Sequence, residues 1–206
     1  MRPIKKRLPM MTIDAQKKFL RSEINSRLKA MSVNERKILS TAAVEKFLLH
    51  PIYKSSEIIM AYSSTALEIQ LGEFFLTALS HGKILAIPFI RGREMFAVEL
   101  SSADELEIGA YDILTVKNAD NKIIDARKID CIVTPGLAFD ANCNRLGKGG
   151  GYYDKFFINA INAKKIALAH DCQIVDKVPT ERHDIPVDVV ITPTKNFFQP
   201  NKCRIL

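Results

Sequence analysis

The sequence predicts an α/β protein in which helices flank a mostly parallel sheet. Short apolar runs alternate along the chain with segments of helical periodicity, as in layered α/β folds. One apolar run leads into a polar, glycine-rich segment, and ligands of such folds bind beyond the carboxyl ends of the strands. The chain has 206 residues, of which 47% are hydrophobic and 26% charged, a composition that is ordinary for one folded domain.

Apolar periodicity and end signals define the predicted helices. The first covers residues 12–30, and its apolar stripe contains Phe19, Leu20, Ile24 and Leu28. Ser32 with Glu35 marks the start of a second helix, which ends near His50, before Pro51. The buried stripe of this helix is expected to contain Ile38, Leu39, Ala42, Ala43, Phe47 and Leu48. Further helices are predicted over residues 70–80 and 152–162, the last with Phe156, Phe157, Ile158 and Ile161 turned inwards.

The predicted strands are short apolar runs bounded by turn signals. They cover residues 57–62, 83–88, 94–100, 131–133, 165–169 and 189–192. Residues 101–128 are polar, and no element is assigned to them.

Composition excludes several classes of protein. No apolar stretch approaches the roughly 20 residues that a membrane-spanning helix needs, and no apolar block follows the basic N-terminus as in a signal peptide. The four cysteines lack CxxC spacing, and the histidines add no zinc-like pattern. We therefore expect reduced thiols in a cytoplasmic protein, with Cys131 in the core and Cys143 exposed beside the glycine-rich segment.

The net charge of +7 raises the question of nucleic-acid binding. Four basic residues precede the first acidic one, and the charge without them is only +3. We interpret residues 1–11 as a disordered basic extension and residues 12–206 as a single domain. The remaining positive charge also suits a small polyanionic ligand.

The glycine-rich segment has the chemistry of a phosphate site. Gly147, Gly149, Gly150 and Gly151 precede a predicted helix N-terminus, and such loops turn backbone N–H groups towards anions. Arg145 and Lys148 add cations, and Asp154 adds a carboxylate for a phosphate-bound magnesium ion. The loop is not a Walker A or dinucleotide fingerprint, because Gly149 follows Lys148 and Tyr152 occupies the place of the last glycine. The alternative interpretation is a flexible glycine turn.

Four further residues have both structural and functional interpretations. Lys17 and Arg21 lie four residues apart, so they share one helix face, which charge pattern alone makes a solvated face. Glu68 follows a predicted strand, where its structural role would be at the next helix N-terminus. Asp184 precedes Ile185-Pro186 and by itself is a turn residue.

The run from Pro135 to Phe157, PGLAFDANCNRLGKGGGYYDKFF, resembles the signature of the 5-formyltetrahydrofolate cyclo-ligase family. That signature starts Pro-Gly-x-x-Phe-Asp and continues Arg-Leu-Gly-x-Gly-x-Gly-Tyr-Tyr-Asp. Residues 17–21 are similar to the Lys-x-x-x-Arg pair of the family, and residues 179–188 to its Pro-x-Glu-x-His-Asp-x-x-Val-Asp segment. Similar segments recur from residue 14 to residue 192. Residues 109–114 depart from the family, because they lack its Gly-x-x-Glu-Pro element.

The resemblance implies the single α/β domain of this family and its reaction, the ATP- and Mg²⁺-dependent cyclisation of 5-formyltetrahydrofolate. It implies catalytic roles for Lys17, Arg145 and Lys148, and magnesium ligation by Asp154 and Asp184. The implied ATP-binding residues are Lys17, Arg21, Arg145, Leu146, Gly147, Lys148, Gly149, Gly150, Gly151, Tyr152 and Tyr153. The implied folate-binding residues are Ser63, Glu68, Lys148, Gly149, Gly150, Gly151 and Tyr152.

The expected partners are therefore small molecules, with neither nucleic acid nor membrane, and the expected state is a monomer. Two alternatives stay open: a non-catalytic, nucleic-acid-binding relative of the same fold, and another ATP-dependent ligase or kinase that uses the same loop. No RNA-binding motif is visible, and the basic residues are not interleaved with aromatic ones as stacking platforms require.

Overall fold

Eight strands of the described residues form the main sheet of the structure, a computed structural model that describes residues 11–102, 105–108, 114–116 and 119–200. The predicted extension lies outside these residues except for Met11, and so do residues 109–113 and Cys203. The helices are α1 Ile13–Ala30, α2 Val33–Leu49, α3 Pro51–Ser55, α4 Gly72–Ser80 and α5 Tyr152–Asn159. The strands are β1 Ile58–Ala61, β2 Ile84–Arg91, β3 Glu94–Leu100, β4 Leu106–Ile108, β5 Leu114–Val116, β6 Ile123–Ile124, β7 Cys131–Thr134, β8 Ala138–Phe139, β9 Arg145–Leu146, β10 Lys164–Leu168, β11 Val189–Ile191 and β12 Asn196–Phe198.

The main sheet has the order β12-β11-β10-β7-β1-β2-β3-β6. The five adjacent strands from β11 to β2 all pair in parallel, which confirms the predicted mostly parallel sheet. β3 runs antiparallel to β2 because only Gly92 and Arg93 connect them, and Arg91 pairs with Glu94. Gly92 has φ +62°, a value that two-residue hairpins favour and that glycine adopts without strain. No strand is predicted at β12, which pairs antiparallel with β11.

Both faces of the main sheet are covered, which explains why its strands are continuous apolar runs. In β1, Ile59 and Ala61 face the core beneath α2, α3 and α4, where Phe47 and Phe74 lie. Met60 faces the opposite side, where α5 packs. Among the described residues, no helix is long and apolar enough to cross a bilayer.

The small β8–β9 hairpin carries the first half of the glycine-rich segment and packs on α1. Its turn is built around Asp140, whose carboxylate accepts hydrogen bonds from the N–H groups of Asn142, Asn144 and Val178, each at 3.0 Å. Ile24 and Leu28 of α1 pack against this hairpin. This contact places α1 beside the glycine loop at residues 147–151.

Four apolar side chains that were predicted to be buried are exposed, and helix geometry explains each case. Phe19 lies about 100° around α1 from Leu20 and outside the buried face. Ile38 is likewise on the solvent side of α2. Ile158 is on the opposite side of α5 from Phe156, and Ile161 lies beyond the end of that helix at Asn159.

The prediction that Cys143 is exposed is wrong. The residue is fully buried and has φ +62° in the turn between β8 and β9, where its carbonyl accepts the N–H of Val187 at 3.0 Å. Burial raises the pKa of its thiol to about 12, so the thiol is neutral at physiological pH. Cys131 is in the core, as predicted.

Candidate active site

A cavity of about 620 Å³ opens at the carboxyl ends of β7, β1 and β2. Its lining contains every residue that the sequence marked as a site residue. One half is cationic and includes the glycine loop, whereas the other half is largely apolar. The structure thus brings the predicted residues together in one place, although their ligand roles stay predictions.

Lys17 projects from α1 into the cationic half and is buried there, rather than lying on a solvated helix face. Its Nζ lies 2.8 Å from Glu181 Oε2 and 2.6 Å from Asp184 Oδ2. Burial alone would lower the pKa of Lys17, but the hydrogen bonds to Asp184 and Glu181 raise it above the ordinary 10.5. The ammonium group is therefore charged and held in position.

Asp184 has the structural role considered for it and also binds Lys17, whereas its role as a metal ligand stays a prediction. Its Oδ2 accepts the Glu181 N–H at 2.7 Å, which closes a tight turn, and it also accepts Lys17 Nζ. Burial alone would raise the pKa of Asp184, whereas the hydrogen bonds from Lys17 and the Glu181 N–H hold it below the ordinary 3.8. The carboxylate is thus ionised at neutral pH.

Arg21 lies one turn after Lys17 and holds the glycine loop against α1. Its Nε donates to the carbonyl oxygen of Gly147 at 2.9 Å. Gly149 has φ +110°, a conformation that side-chain-bearing residues rarely adopt, and its Cα faces the Arg21 guanidinium. Gly151, with φ +66°, caps the N-terminus of α5. The loop therefore needs glycine for its backbone path, which places the positive end of α5 at the cavity.

Arg145 forms the floor of the cationic half. Its Nη2 lies 2.8 Å from Asp154 Oδ2, and the other oxygen of Asp154 accepts the Ile185 N–H at 3.1 Å. The Arg145 guanidinium also lies over the Phe157 ring, 5.6 Å from its centre. The Arg145 side chain is only 4% exposed, so the surrounding protein encloses it, although its Nε has no hydrogen-bond partner among the described residues.

The two tyrosines at the start of α5, Tyr152 and Tyr153, differ in position. Tyr153 packs edge-on against Phe157 with ring centres 6.0 Å apart, and burial, then the charge of Glu68, raise the pKa of Tyr153. The Tyr153 hydroxyl is buried without a hydrogen-bond partner among the described residues. Tyr152 is half-buried and lines the cavity. Of the two rings, Tyr152 is the better placed to stack on a ligand.

Glu68 and Lys148 link the two halves of the cavity. Lys148 Nζ lies 2.8 Å from Glu68 Oε1. Glu68 Oε2 accepts the N–H and the hydroxyl of Thr65 at 2.9 and 2.8 Å, so Glu68 closes its own loop rather than meeting the next helix. Glu68 is buried, whereas the Lys148 side chain is 55% exposed.

The sequence predicts two carboxylates, those of Asp154 and Asp184, as donors for a metal ion. Among the described residues, no group of three or more His, Cys, Asp or Glu side chains could hold a metal by itself. Asp154 and Asp184 each bind a cation and a backbone N–H, but every carboxylate oxygen has two acceptor sites. This donor set fits Mg²⁺, which commonly takes one or two carboxylates and completes its shell with phosphate oxygens and water.

Sequence reasoning missed several residues of the cavity. Glu181 was part of a recognised segment, but nothing local indicated that it would meet Lys17, 164 positions away. The apolar half consists of Tyr62, Pro88, Phe89, Ile90 and Met95. Their signal was present in the strand prediction, because Tyr62 and Pro88 end the predicted strands 57–62 and 83–88 at the same sheet edge.

Fold and cavity together define an α/β protein whose ligand site joins a cationic, glycine-lined half to an apolar half. A model of the 5-formyltetrahydrofolate cyclo-ligase family matches residues 13–193. The 5-formyltetrahydrofolate cyclo-ligase of Mus musculus is 30% identical over 192 residues, covering 87% of this chain and 95% of the mouse protein. That of Escherichia coli K12 is 28% identical over 178 residues, covering 84% of this chain and 97% of the bacterial protein.

A solved structure is also similar. The NMR structure of 5,10-methenyltetrahydrofolate synthetase from Aquifex aeolicus matches with a TM-score of 0.81 and 28% identity, covering 89% of this chain and 93% of that one. The chain therefore belongs to the 5-formyltetrahydrofolate cyclo-ligase family of enzymes. This confirms the resemblance that residues 135–157 indicated.

Proposed function

We propose that this enzyme converts 5-formyltetrahydrofolate to 5,10-methenyltetrahydrofolate, consuming ATP in the presence of Mg²⁺ and releasing ADP and phosphate. The observation that supports the proposal is a cavity in which buried cations and a glycine loop face an apolar wall beside Glu68. Polyphosphate suits the first half and a flat, mostly apolar ring system suits the second.

The reaction needs the formyl oxygen to become a leaving group. That oxygen attacks the terminal phosphorus of ATP, the bond from this phosphorus to the bridging oxygen breaks, and ADP leaves. The lone pair of N10 then attacks the activated formyl carbon and forms the second C–N bond. N10 loses its proton, the C–O bond breaks and phosphate departs, which leaves the methenyl bridge between N5 and N10.

Three cations would act on the transferred phosphoryl group. Phosphoryl transfer depends mainly on positioning and on neutralising charge, and fixed cations in a partly dry site do this best. Lys17 and Arg145 are held by carboxylates, so they would meet the phosphates without rearranging. Lys148 lies on the glycine loop, and its more exposed side chain would move to contact the phosphates. No side-chain nucleophile is required.

Glu68 would orient the folate. Its carboxylate is buried at the boundary of the two halves and can accept hydrogen bonds from the N–H groups of the pterin ring. Ser63 lines the same part of the cavity, and Tyr152 would stack on the ring. Asp154 and Asp184 would hold Mg²⁺, which supplies further charge neutralisation on the phosphates when bound.

Purified protein with 5-formyltetrahydrofolate, ATP and MgCl₂ should produce the near-ultraviolet absorbance of the methenyl product, with one ADP formed per product. Omitting ATP or Mg²⁺ should abolish the signal. Absence of product with active reagents would contradict the proposal. ATP consumption that depends on another acceptor would support a different ligase or kinase, and a salt-dependent RNA gel shift without turnover would support a nucleic-acid-binding relative.

A further inference from the structure

Glu181 lines the cationic half of the cavity, and the proposed reaction gives it no role. Its Oε2 lies 2.8 Å from Nζ of Lys17, whose other acceptor is Asp184 Oδ2 at 2.6 Å. The Lys17 side chain is 8% exposed, whereas that of Glu181 is 37% exposed. The cation that would meet the phosphates is therefore held by two carboxylates, one of which faces the solvent more than the other.

A tight turn from residue 181 to residue 184 brings both carboxylates to Lys17. The Glu181 N–H donates to Asp184 Oδ2 at 2.7 Å, and the Asp184 N–H donates to the carbonyl oxygen of Glu181 at 3.1 Å. Both bonds use the backbone of Glu181 and leave its side chain out. Replacing the Glu181 side chain therefore removes a contact with Lys17 and leaves the hydrogen bonds of the turn in place.

The two carboxylates differ in what else they bind. Asp184 is the predicted magnesium ligand, and its Oδ2 already accepts two hydrogen bonds. The Glu181 carboxylate accepts a hydrogen bond from Lys17, and His183 Nε2 stays 3.8 Å from it. Among the described residues, Glu181 does not join Asp154 and Asp184 in a three-residue group that could hold a metal. A divalent cation at Asp184 would therefore share that carboxylate with Lys17 and repel the ammonium group, whereas Glu181 would keep Lys17 as its partner.

We propose that Glu181 is a positioning residue, which holds Lys17 in place for the phosphates when Mg²⁺ and nucleotide bind beside Asp184. The inference rests on the proposed function. An ammonium group has three N–H donors, so one remains for a phosphate oxygen while the two carboxylates accept the others. Once Asp184 is engaged by the metal ion, Glu181 is the carboxylate that still balances the charge of the buried Lys17.

The proposal predicts that the contribution of Glu181 depends on Mg²⁺. Without the metal ion, Asp184 still binds Lys17 in Glu181→Ala. The nucleotide should then bind at least as tightly as in the wild type, because a negative charge near the phosphates is lost. With Mg²⁺, the affinity should fall by a factor of about three to ten, the effect of one partly exposed, charged hydrogen bond. Glu181→Gln keeps an acceptor oxygen beside Lys17 and should lose less.

The test is isothermal titration with a non-hydrolysable ATP analogue, in MgCl₂ and in EDTA, without folate. It compares the wild type, Glu181→Ala and Glu181→Gln. Glu23→Ala is the matched control, because the Glu23 side chain is 39% exposed and pairs with Arg27 on the far part of α1. The ratio of the Kd of Glu181→Ala to that of the wild type should be about three to ten in MgCl₂ and at or below one in EDTA. Both ratios should stay near one for Glu23→Ala.

Two results would overturn the proposal. The first is a ratio in MgCl₂ that does not exceed the ratio in EDTA, since a merely structural role would weaken binding equally in both. The second is a ratio in MgCl₂ that does not exceed that of Glu23→Ala. If Glu181→Ala fails to fold by circular dichroism, Glu181→Gln decides by the same two comparisons.

The proposed function can fail separately. Wild type that binds the analogue in MgCl₂ but forms no methenyl product would refute that function, and the two ratios would still decide the role of Glu181. Wild type that binds no nucleotide would refute both.

Discussion

The floor and the loop of the cavity hold their cations in different ways. Lys17 and Arg145 form the floor, and their side chains are only 8% and 4% exposed. Lys148 lies on the glycine loop, and its side chain is 55% exposed while its partner Glu68 is buried. The floor cations sit against carboxylates that are themselves fixed by backbone N–H groups. The loop cation has one carboxylate partner and room to move.

Because of this difference, we expect the floor cations and the loop cation to contribute differently to stability and to function. A partly buried ion pair leaves an uncompensated charge when one member is removed, so the floor should matter for folding as well as for ligand binding. Lys148 is largely exposed, and Glu68 keeps its hydrogen bonds from Thr65 without it, so Lys148 should contribute less to stability and matter mainly when a ligand is present. Under the proposed function, Lys17 and Arg145 are in position before ATP binds, whereas Lys148 on the loop can adjust to it.

Arg145→Met should cause the largest loss in the free energy of unfolding. Methionine keeps apolar contact with Phe157 but leaves the Asp154 carboxylate without its cation, and breaking a buried pair costs about 3–5 kcal/mol. Urea denaturation measures this loss in the free energy of unfolding. Arg27→Met, which breaks the exposed ion pair with Glu23, is the matched control and should cost less than about 1 kcal/mol. Equal losses of stability in the two variants would show that the buried ion pair of Arg145 is worth no more than an exposed one.

Asp184→Asn should have a smaller, pH-dependent effect, because Glu181 still binds Lys17. Losing a charged hydrogen bond costs about 1.5–3 kcal/mol. Since the folded-state pKa of Asp184 lies below 3.8, its contribution is present above that pH and disappears as pH falls through the lower folded value. Wild type and variant should therefore differ in urea denaturation at pH 7 and converge below pH 3.8. A difference that persists unchanged in acid, or equals that of the exposed Asp176→Asn, would contradict this.

Gly149→Ala tests the backbone of the loop. The φ of +110° is strained for alanine by about 1–3 kcal/mol, although the added Cβ would find only ordinary contacts with Arg21. We expect a modest loss of stability and a higher KM for ATP. Gly72→Ala is the control, because it has open space and no positive φ. If both variants keep the wild-type KM, the loop conformation is not what binds the phosphates.

Lys148→Gln should have the smallest effect on stability, below about 1 kcal/mol, because the residue is exposed. Turnover should nevertheless fall on the order of a hundredfold, since a cation opposite developing charge is lost. Denaturation and turnover measured on the same sample give both quantities, with Lys37→Gln, at an exposed position on α2, as the control for net charge. If Lys148→Gln instead lowers the free energy of unfolding and leaves turnover normal, Lys148 acts in stability rather than in catalysis.

The sequence alone determined the fold class and the part of the cavity that the glycine loop and its neighbours form. The alternation of apolar runs and helical periods predicted a mostly parallel sheet, and the residues from Arg145 to Asp154 predicted a phosphate loop with its own cations and carboxylate. Both inferences depend on local patterns. The family followed from the same residues, because a glycine loop with this spacing of charged and tyrosine residues is specific.

Only the tertiary structure decided which charges pair. Lys17 meets Glu181 and Asp184 because α1 packs on the β8–β9 hairpin, and that contact joins residues 164 and 167 positions apart. The same packing buried Lys17 and exposed Phe19, which reverses what their side-chain types suggest. Ion pairs and cavities depend on the spatial distances between segments that lie far apart in the sequence, and only folding sets those distances.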